Sequence, residues 1–275
     1  MRQIFTAFPY VEPPVPDLIA ERVRAHARLL TLEPGDILKM PGELHHFYMV
    51  EEGVCGYFVA GVVFGHSRIM SLLPPKRTVA DISVSIGRSC NIETRALTPL
   101  KAWACPAKFF DEVVFADRTL SEIHHRLTVM KFESIVEGMV ANLTLPPEER
   151  LKMLLFMLTA EESGVEEKEW RTLPYRLTAQ ELGQVVSITR SNISRQLNAW
   201  RKEGLAEKDG LVWRFKSALF ESVYDWKLDG VAPTTPKNLT RALALASTVE
   251  LSGKKETRSV PSLDEAIEVA LSELC

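Results

Sequence analysis

Six hydrogen-bonding side chains fall within seven consecutive positions: Thr189, Arg190, Ser191, Asn192, Ser194 and Arg195. At the start of a helix, such a set suits the edges of bases in a duplex. An arginine can hold guanine O6 and N7 with two hydrogen bonds, while Asn, Ser and Thr donate or accept at neighbouring positions. Lys202 and Lys208, further along, supply point charges suited to phosphate oxygens.

Local signals predict the elements that would present these groups. Thr178 followed by Glu181 is a capping box that opens a short helix to about Val186, with Leu182, Val185 and Val186 apolar. Ser187 and Ile188 fit a tight turn. Thr189 then caps a second helix whose Ile193, Leu197 and Trp200 recur at spacings of four and three, which turns the polar set outward. Gly204 suits a helix end, and Asp209-Gly210 between Ala206–Lys208 and Leu211–Phe215 is a hairpin signal. Two short helices followed by a hairpin make a winged helix. A plain helical hairpin with a solvated face would need neither the wing nor the charge. Between Arg171 and Lys216 stand nine basic and four acidic residues, a local +5 in a chain of net charge −3.

The whole chain sets the bounds. With 275 residues, 46% hydrophobic and 25% charged, it has ordinary globular composition and room for two modest domains. Its net charge assigns any affinity for nucleic acid to a local patch. The opening MRQIFTAFPYVEPPVPDL is broken by prolines and does not read as a secretion signal, and no run reaches the ~18 apolar residues of a membrane span. Cys55, Cys90, Cys105 and Cys275 are scattered, which points to free thiols in a reducing cytoplasm and to no metal site.

Upstream, PDLIAERVRAHARLL has helical spacing at Leu18, Ile19, Val23 and Ala27. From Leu29 to Pro106 short apolar runs alternate with turn residues, which predicts a small antiparallel barrel or sandwich. Phe109 to Leu143 predicts one long helix with a stripe at Leu120, Ile123, Leu127 and Met130, and a second at Phe132, Ile135 or Val136, Met139 and Leu143. So long a face calls for a second copy of the chain. Pro146-Pro147-Glu148-Glu149 starts another helix with Leu151, Leu154, Leu155 and Leu158 on one side, and Glu161 to Glu169 reads as a solvated turn. GVAPTTPKN is a linker by composition, and SLDEAIEVALSEL carries a Ser262/Glu265 capping box on a final amphipathic helix.

In this order of elements, PGDILKMPGELHHFYMVEEGVCGYF with Gly35, Gly42 and Gly53 at its turns, RLKMLLFML, and the helix-turn-helix together resemble the family of the cyclic-AMP receptor protein and the fumarate-nitrate reduction regulator (CRP/FNR) from about Leu29 to Phe215. The resemblance implies an α+β chain. An antiparallel β-barrel (jelly roll) like a cyclic-nucleotide-binding domain would occupy residues 1–110, a long dimerisation helix 111–145 and a winged helix-turn-helix 146–228. Residues 229–275 would form a linker and helix of unassigned role. It also implies base reading by Arg190, Ser191, Ser194 and Arg195. Ser191 departs from the glutamate common there, and Ser187 from the glycine usual in the turn.

The sensor half departs further. The Gly-Glu pair of cyclic-nucleotide binders is missing from TVADISVSIGRSCNIETRAL, where Asp81 would repel a phosphate. Arg88 and Ser89, with Ser134 and Ile135 on the long helix, are the candidate effector contacts. Lys76-Arg77 is either an attractor of anions or a solvated basic turn. The dispersed cysteines do not fit an iron–sulfur cluster. A haem-type gas sensor would draw its ligands from His45, His46, Cys55, His66, Cys90 and Cys105, and haem is not the favoured cofactor.

The reading is of a homodimeric regulator, not an enzyme, that binds palindromic double-stranded DNA, contacts RNA polymerase and answers a small molecule other than cyclic AMP. From another class, a cupin-type enzyme would hold a metal with His45, His46 and Glu43 or Glu51, although adjacent strand residues point to opposite faces.

Overall fold

In the computed structural model, residues 4–5, 7–59, 69–160, 169–210 and 212–223 are described. The expected linker and final helix, nearly all of the acidic run (161–168), His66 and Cys275 lie outside them. After a short helix, α1 (Asp17–His26), eight strands follow: β1 (Arg28–Leu32), β2 (Ile37–Lys39), β3 (His46–Glu52), β4 (Cys55–Val59), β5 (Ile69–Leu73), β6 (Thr78–Val79), β7 (Ile92–Ala96) and β8 (Leu100–Pro106). The short helix α2 (Asp81–Ser85) lies between β6 and β7. All pairings are antiparallel, in two four-stranded sheets of order β1-β8-β3-β6 and β2-β7-β4-β5.

One apolar core fills the space between these sheets. It takes Val50, Leu100, Ala102 and Ala104 from one sheet and Leu38, Tyr57, Leu73 and Ala96 from the other. The inward positions are apolar because two sheets packed face to face bury one side of every strand. The expected jelly roll is therefore the fold of this half. Gly35, Gly42 and Gly53 all have positive φ at its turns.

The long helix α3 runs Arg118–Thr144, capped by Asp117, whose side chain accepts from the amides of Thr119 and Leu120. It begins nine residues later than the expectation of a helix from Phe109. Phe110–Val114 instead forms a wide π-helical turn, with Phe109, Phe110 and Val114 buried against Phe47 and His124. Burial of these rings sets the chain's path ahead of α3. Leu120 and Leu127 face the roll, whereas Met130 from the same expected stripe is exposed. Val129, Phe132, Val136, Met139 and Leu143 are exposed too, at spacings of three and four.

The proline-rich stretch of residues 7–15 is strapped across the roll and α3. Leu72 and Tyr10 pair through Leu72 N to Tyr10 O at 2.8 Å, and Glu12 N donates to Leu72 O at 3.3 Å. Ser134 Oγ donates to Phe8 O at 2.6 Å and to Val11 O at 3.1 Å.

Beyond α3 come α4 (Pro147–Ala160), β9 (Trp170–Thr172), α5 (Ala179–Val185), α6 (Arg190–Lys202), β10 (Ala206–Asp209) and β11 (Val212–Lys216). The last three strands make one sheet of order β10-β11-β9. Leu151, Leu154, Leu155 and Leu158 of α4 are buried as their spacing required, in one cluster with Ile193, Leu197, Trp200 and Phe215.

Candidate nucleic-acid interface

The geometry of α5 and α6 follows from their caps. Thr178 Oγ1 accepts from Glu181 N at 3.2 Å, and Glu181 Oε2 accepts from Thr178 N at 2.6 Å, which completes the capping box. Just past α5 the chain turns at Ser187, whose φ of 53° puts a non-glycine residue in the left-handed region. The turn closes through Ile188 N to Gly183 O at 2.9 Å. Gly183 permits this approach, since a Cβ there would stand 2.3 Å from Ile188 O. Sequence reading passed over Gly183, although a glycine inside a short helix next to a turn signals close backbone contact.

Thr189 caps α6 by accepting from Asn192 N at 3.4 Å. Ile193, Leu197 and Trp200 are buried, and the ring nitrogen of Trp200 donates to Glu148 Oε1 of α4 at 3.3 Å. The buried stripe fixes which way α6 faces. Arg190, Ser191, Asn192, Arg195 and Lys202 are exposed together, with Ser194 half-buried among them and Thr189 exposed at the cap. Asn192 Oδ1 accepts from Arg195 Nη2 at 2.9 Å, and the hydroxyls of Thr189 and Ser191 lie 3.1 Å apart. The guanidinium of Arg195 is thus held on the outer face by its neighbour one turn back. Gly204, with φ of 70°, ends the helix, and Leu205 N returns to Trp200 O at 2.8 Å.

The wing is present, one residue displaced. Asp209 pairs with Val212 as the last rung of the hairpin, so Asp209 ends a strand instead of starting the turn, and Gly210 follows with φ of 57°. Sequence reading missed β9, a three-residue strand that pairs with β11 at Arg171↔Phe215. Lys208 is exposed and its ammonium lies 5.5 Å from the Trp213 ring. Arg214 and Lys216 lie 5.6 and 5.4 Å from the ring of Trp170. Arg171, counted above with the basic patch, is buried, its guanidinium 4.6 Å from the Phe156 ring, so it belongs to the core.

The candidate effector contacts do not converge. Arg88 and Ser89 are exposed on the turn after α2, Ile135 is half-buried, and the Ser134 hydroxyl is engaged by the strap. Asp81 is buried and bonded to Lys131 of α3. Arg77 does not sit in a solvated basic turn: it is buried and donates to Glu12 O at 2.8 Å and Pro75 O at 2.7 Å, while only Lys76 is outside, on Asp17 at 2.8 Å. Burial pushes the thiols of Cys55 and Cys105 up, the latter to about 12. Glu43 accepts from Tyr48, and Glu51 from Arg24 and Trp103. Among the described residues no three His, Cys, Asp or Glu side chains are grouped to hold a metal ion.

A jelly roll, a long helix and a winged helix-turn-helix thus stand in one chain. Residues 149–216 match the family model of the Crp-like helix-turn-helix domain. No curated protein matches the sequence. Among solved structures, the chain is similar to FixK2 from Bradyrhizobium japonicum, at 12% identity over 70% of this chain and 92% of that one, with a TM-score of 0.60. It is also similar to the c-di-GMP responsive global regulator CLP of Xanthomonas campestris, at 17% identity over 74% of this chain and 100% of that one, TM-score 0.55. A third is a CRP-family transcriptional regulator from Thermus thermophilus, at 14% identity over 71% of this chain and 96% of that one, TM-score 0.57. CLP and the Thermus protein are regulators, and this chain carries a Crp-like helix-turn-helix domain on the fold that it shares with all three.

Proposed function

We propose that this protein is a homodimeric, sequence-specific DNA-binding regulator of transcription, not an enzyme, acting in the cytoplasm. The single observation that carries the reading is the outer face of α6, where Arg190, Ser191, Asn192 and Arg195 are exposed together on a helix whose opposite face is locked into the core. That is the arrangement by which a recognition helix enters a major groove, with Arg195 on a guanine, Ser194 beside it, and Lys202 and Lys208 on phosphates.

The dimer reading is supported by the exposed apolar seam of α3. Val129, Phe132, Val136, Met139 and Leu143 alternate at three and four, the spacing of a coiled-coil interface, and their exposure in one chain calls for a partner helix. Two-fold symmetry implies a palindromic site with half-sites ~34–36 Å apart. Residues 1–110 would sense, 111–145 dimerise and 146–228 bind DNA, with RNA polymerase as the downstream partner. No helix among the described residues is long and apolar enough to cross a membrane.

The test is selection of binding sites from random double-stranded DNA with the purified full chain. The expected outcome is enrichment of an inverted repeat whose bases change when Arg195 is replaced; recovery of unenriched sequence would overturn the reading.

A further inference from the structure

A buried charge cluster that DNA reading does not use lies between the roll and the long helix. Lys131, on the inner side of α3, is 1% exposed. Its ammonium donates to Thr78 O at 2.8 Å, to Thr78 Oγ1 at 2.9 Å and to Asp81 Oδ1 at 2.7 Å, and lies 3.1 Å from Glu12 Oε2. Thr78 and Asp81 belong to the roll, but Glu12 belongs to the strap. Two carboxylates here share one buried lysine, with the buried guanidinium of Arg77 as the second cation acting on Glu12, so the balance of charge in the cluster is close.

The strap also reaches the other half of the molecule. Two residues before Glu12, Tyr10 is held at φ of 69°, a strained conformation for a residue with a side chain, with its ring against Gly138 of α3. Its hydroxyl donates to Asn142 Oδ1 at 3.2 Å, and Asn142 Nδ2 donates in turn to Val185 O of α5 at 3.1 Å. A continuous path of hydrogen bonds therefore runs from the strap to the helix that supports α6.

We propose that the strap is a built-in, proton-responsive ligand: Glu12 seated on Lys131 closes the space between roll and α3, and Tyr10 transmits closure to α5 through Asn142. This regulation rests on reading α6 as the DNA reader.

The groups facing Glu12 come from every element around it: Lys131 of α3, Asp81 of α2, Arg77 ahead of β6, and Cys55 and Tyr57 of β4. Burial pushes the Glu12 carboxyl up to about 7; Lys131 and Arg77 pull against this and Asp81 adds to it. Released into water, the same carboxyl titrates near 4.5. A carboxyl raised in the closed state favours closure when protonated. That contribution is complete below 4.5 and is lost as pH rises through 7, which lowers the closure constant roughly tenfold between pH ~6 and ~8.

The experiment is amide hydrogen exchange of the full chain at pH ~6 and ~8, corrected for intrinsic rates, on the wild type, Glu12→Gln and Glu12→Asp. The expected result is protection at Glu12, Val15 and Leu72 that falls about tenfold at the higher pH in the wild type and in Glu12→Asp, but not in Glu12→Gln. Amides of α5 should follow the strap in the wild type and stop following it in Tyr10→Phe. Wild-type protection that ignores pH, or Glu12→Gln that responds like the wild type, would overturn the latch. An α5 indifferent to the strap would overturn the coupling. Exchange is read without DNA, so a failure of α6 to read bases is a separate outcome that leaves a responding strap in support of the latch.

Discussion

Asn142 and Val185 are joined across two helices: the amide Nδ2 of Asn142, near the end of α3, donates to the carbonyl of Val185 at the end of α5 at 3.1 Å. Arg150 reinforces the joint, its Nη1 reaching Asn142 O at 3.2 Å and Val186 O at 3.0 Å. The carbonyls at the C-terminus of α5 need partners because a helix leaves its last ones unpaired. Here the partners come from α3 and α4, so the reader is fixed to the long helix through its own turn.

Asn142→Ala removes one of those donors and leaves a buried carbonyl short of a partner, at a cost of about 1–3 kcal/mol. Thermal unfolding should move down accordingly. DNA affinity should fall for all sequences alike, with base preference unchanged, in a comparison of several sites.

Arg195 and Lys202 should separate by type of effect. Arg195→Ala should relax discrimination at one base pair by about 1–3 kcal/mol. Lys202→Ala should instead reduce the slope of log affinity against log salt by about one and spare discrimination. Salt titrations on matched and mismatched duplexes distinguish the two.

Gly183→Ala places a methyl group 2.3 Å from Ile188 O, a distance that backbone atoms must move to relieve. Overpacking of this kind costs about 1–3 kcal/mol or more. The variant should lose thermal stability and DNA binding together, whereas Gly204→Asn, at a helix end where asparagine tolerates the left-handed region, should retain both.

On the α3 seam, Met139 is 59% exposed and Leu143 83% exposed. A charge at Met139 costs the isolated chain little, since the side chain already meets water, but would be buried against a partner helix. Met139→Glu should sediment as a monomer with unchanged circular dichroism while the wild type sediments as a dimer.

What the sequence revealed, and what it hid, divides by distance along the chain. The caps at Thr178 and Thr189, the stripe of Ile193, Leu197 and Trp200, and the exposed face opposite it were legible because each depends on residues within one or two turns. The hairpin was legible to within one residue. Lys131 and Glu12 were not, because their pairing joins residues 119 apart in number, and periodicity carries no information about such contacts. Arg77 and Arg171 read as surface charge for the same reason: a carbonyl from the strap and a phenylalanine ring from α4 took them inside. The start of α3 was misplaced because the stripe that marks the helix begins only at Leu120, and nothing local distinguishes the Phe110–Val114 turn, which packs against Phe47 and His124, from one more helical turn.

In the proposed dimer two copies of α6 read two half-sites at once. The most direct test of this is fluorescence anisotropy on duplexes carrying the selected inverted repeat, with half-site centres set ~10, ~15 or ~20 base pairs apart. Binding that is tightest at about one helical turn, weak at one and a half, and lost for Arg195→Ala on the matched site is the predicted result. Affinity indifferent to spacing and to Arg195 would contradict it.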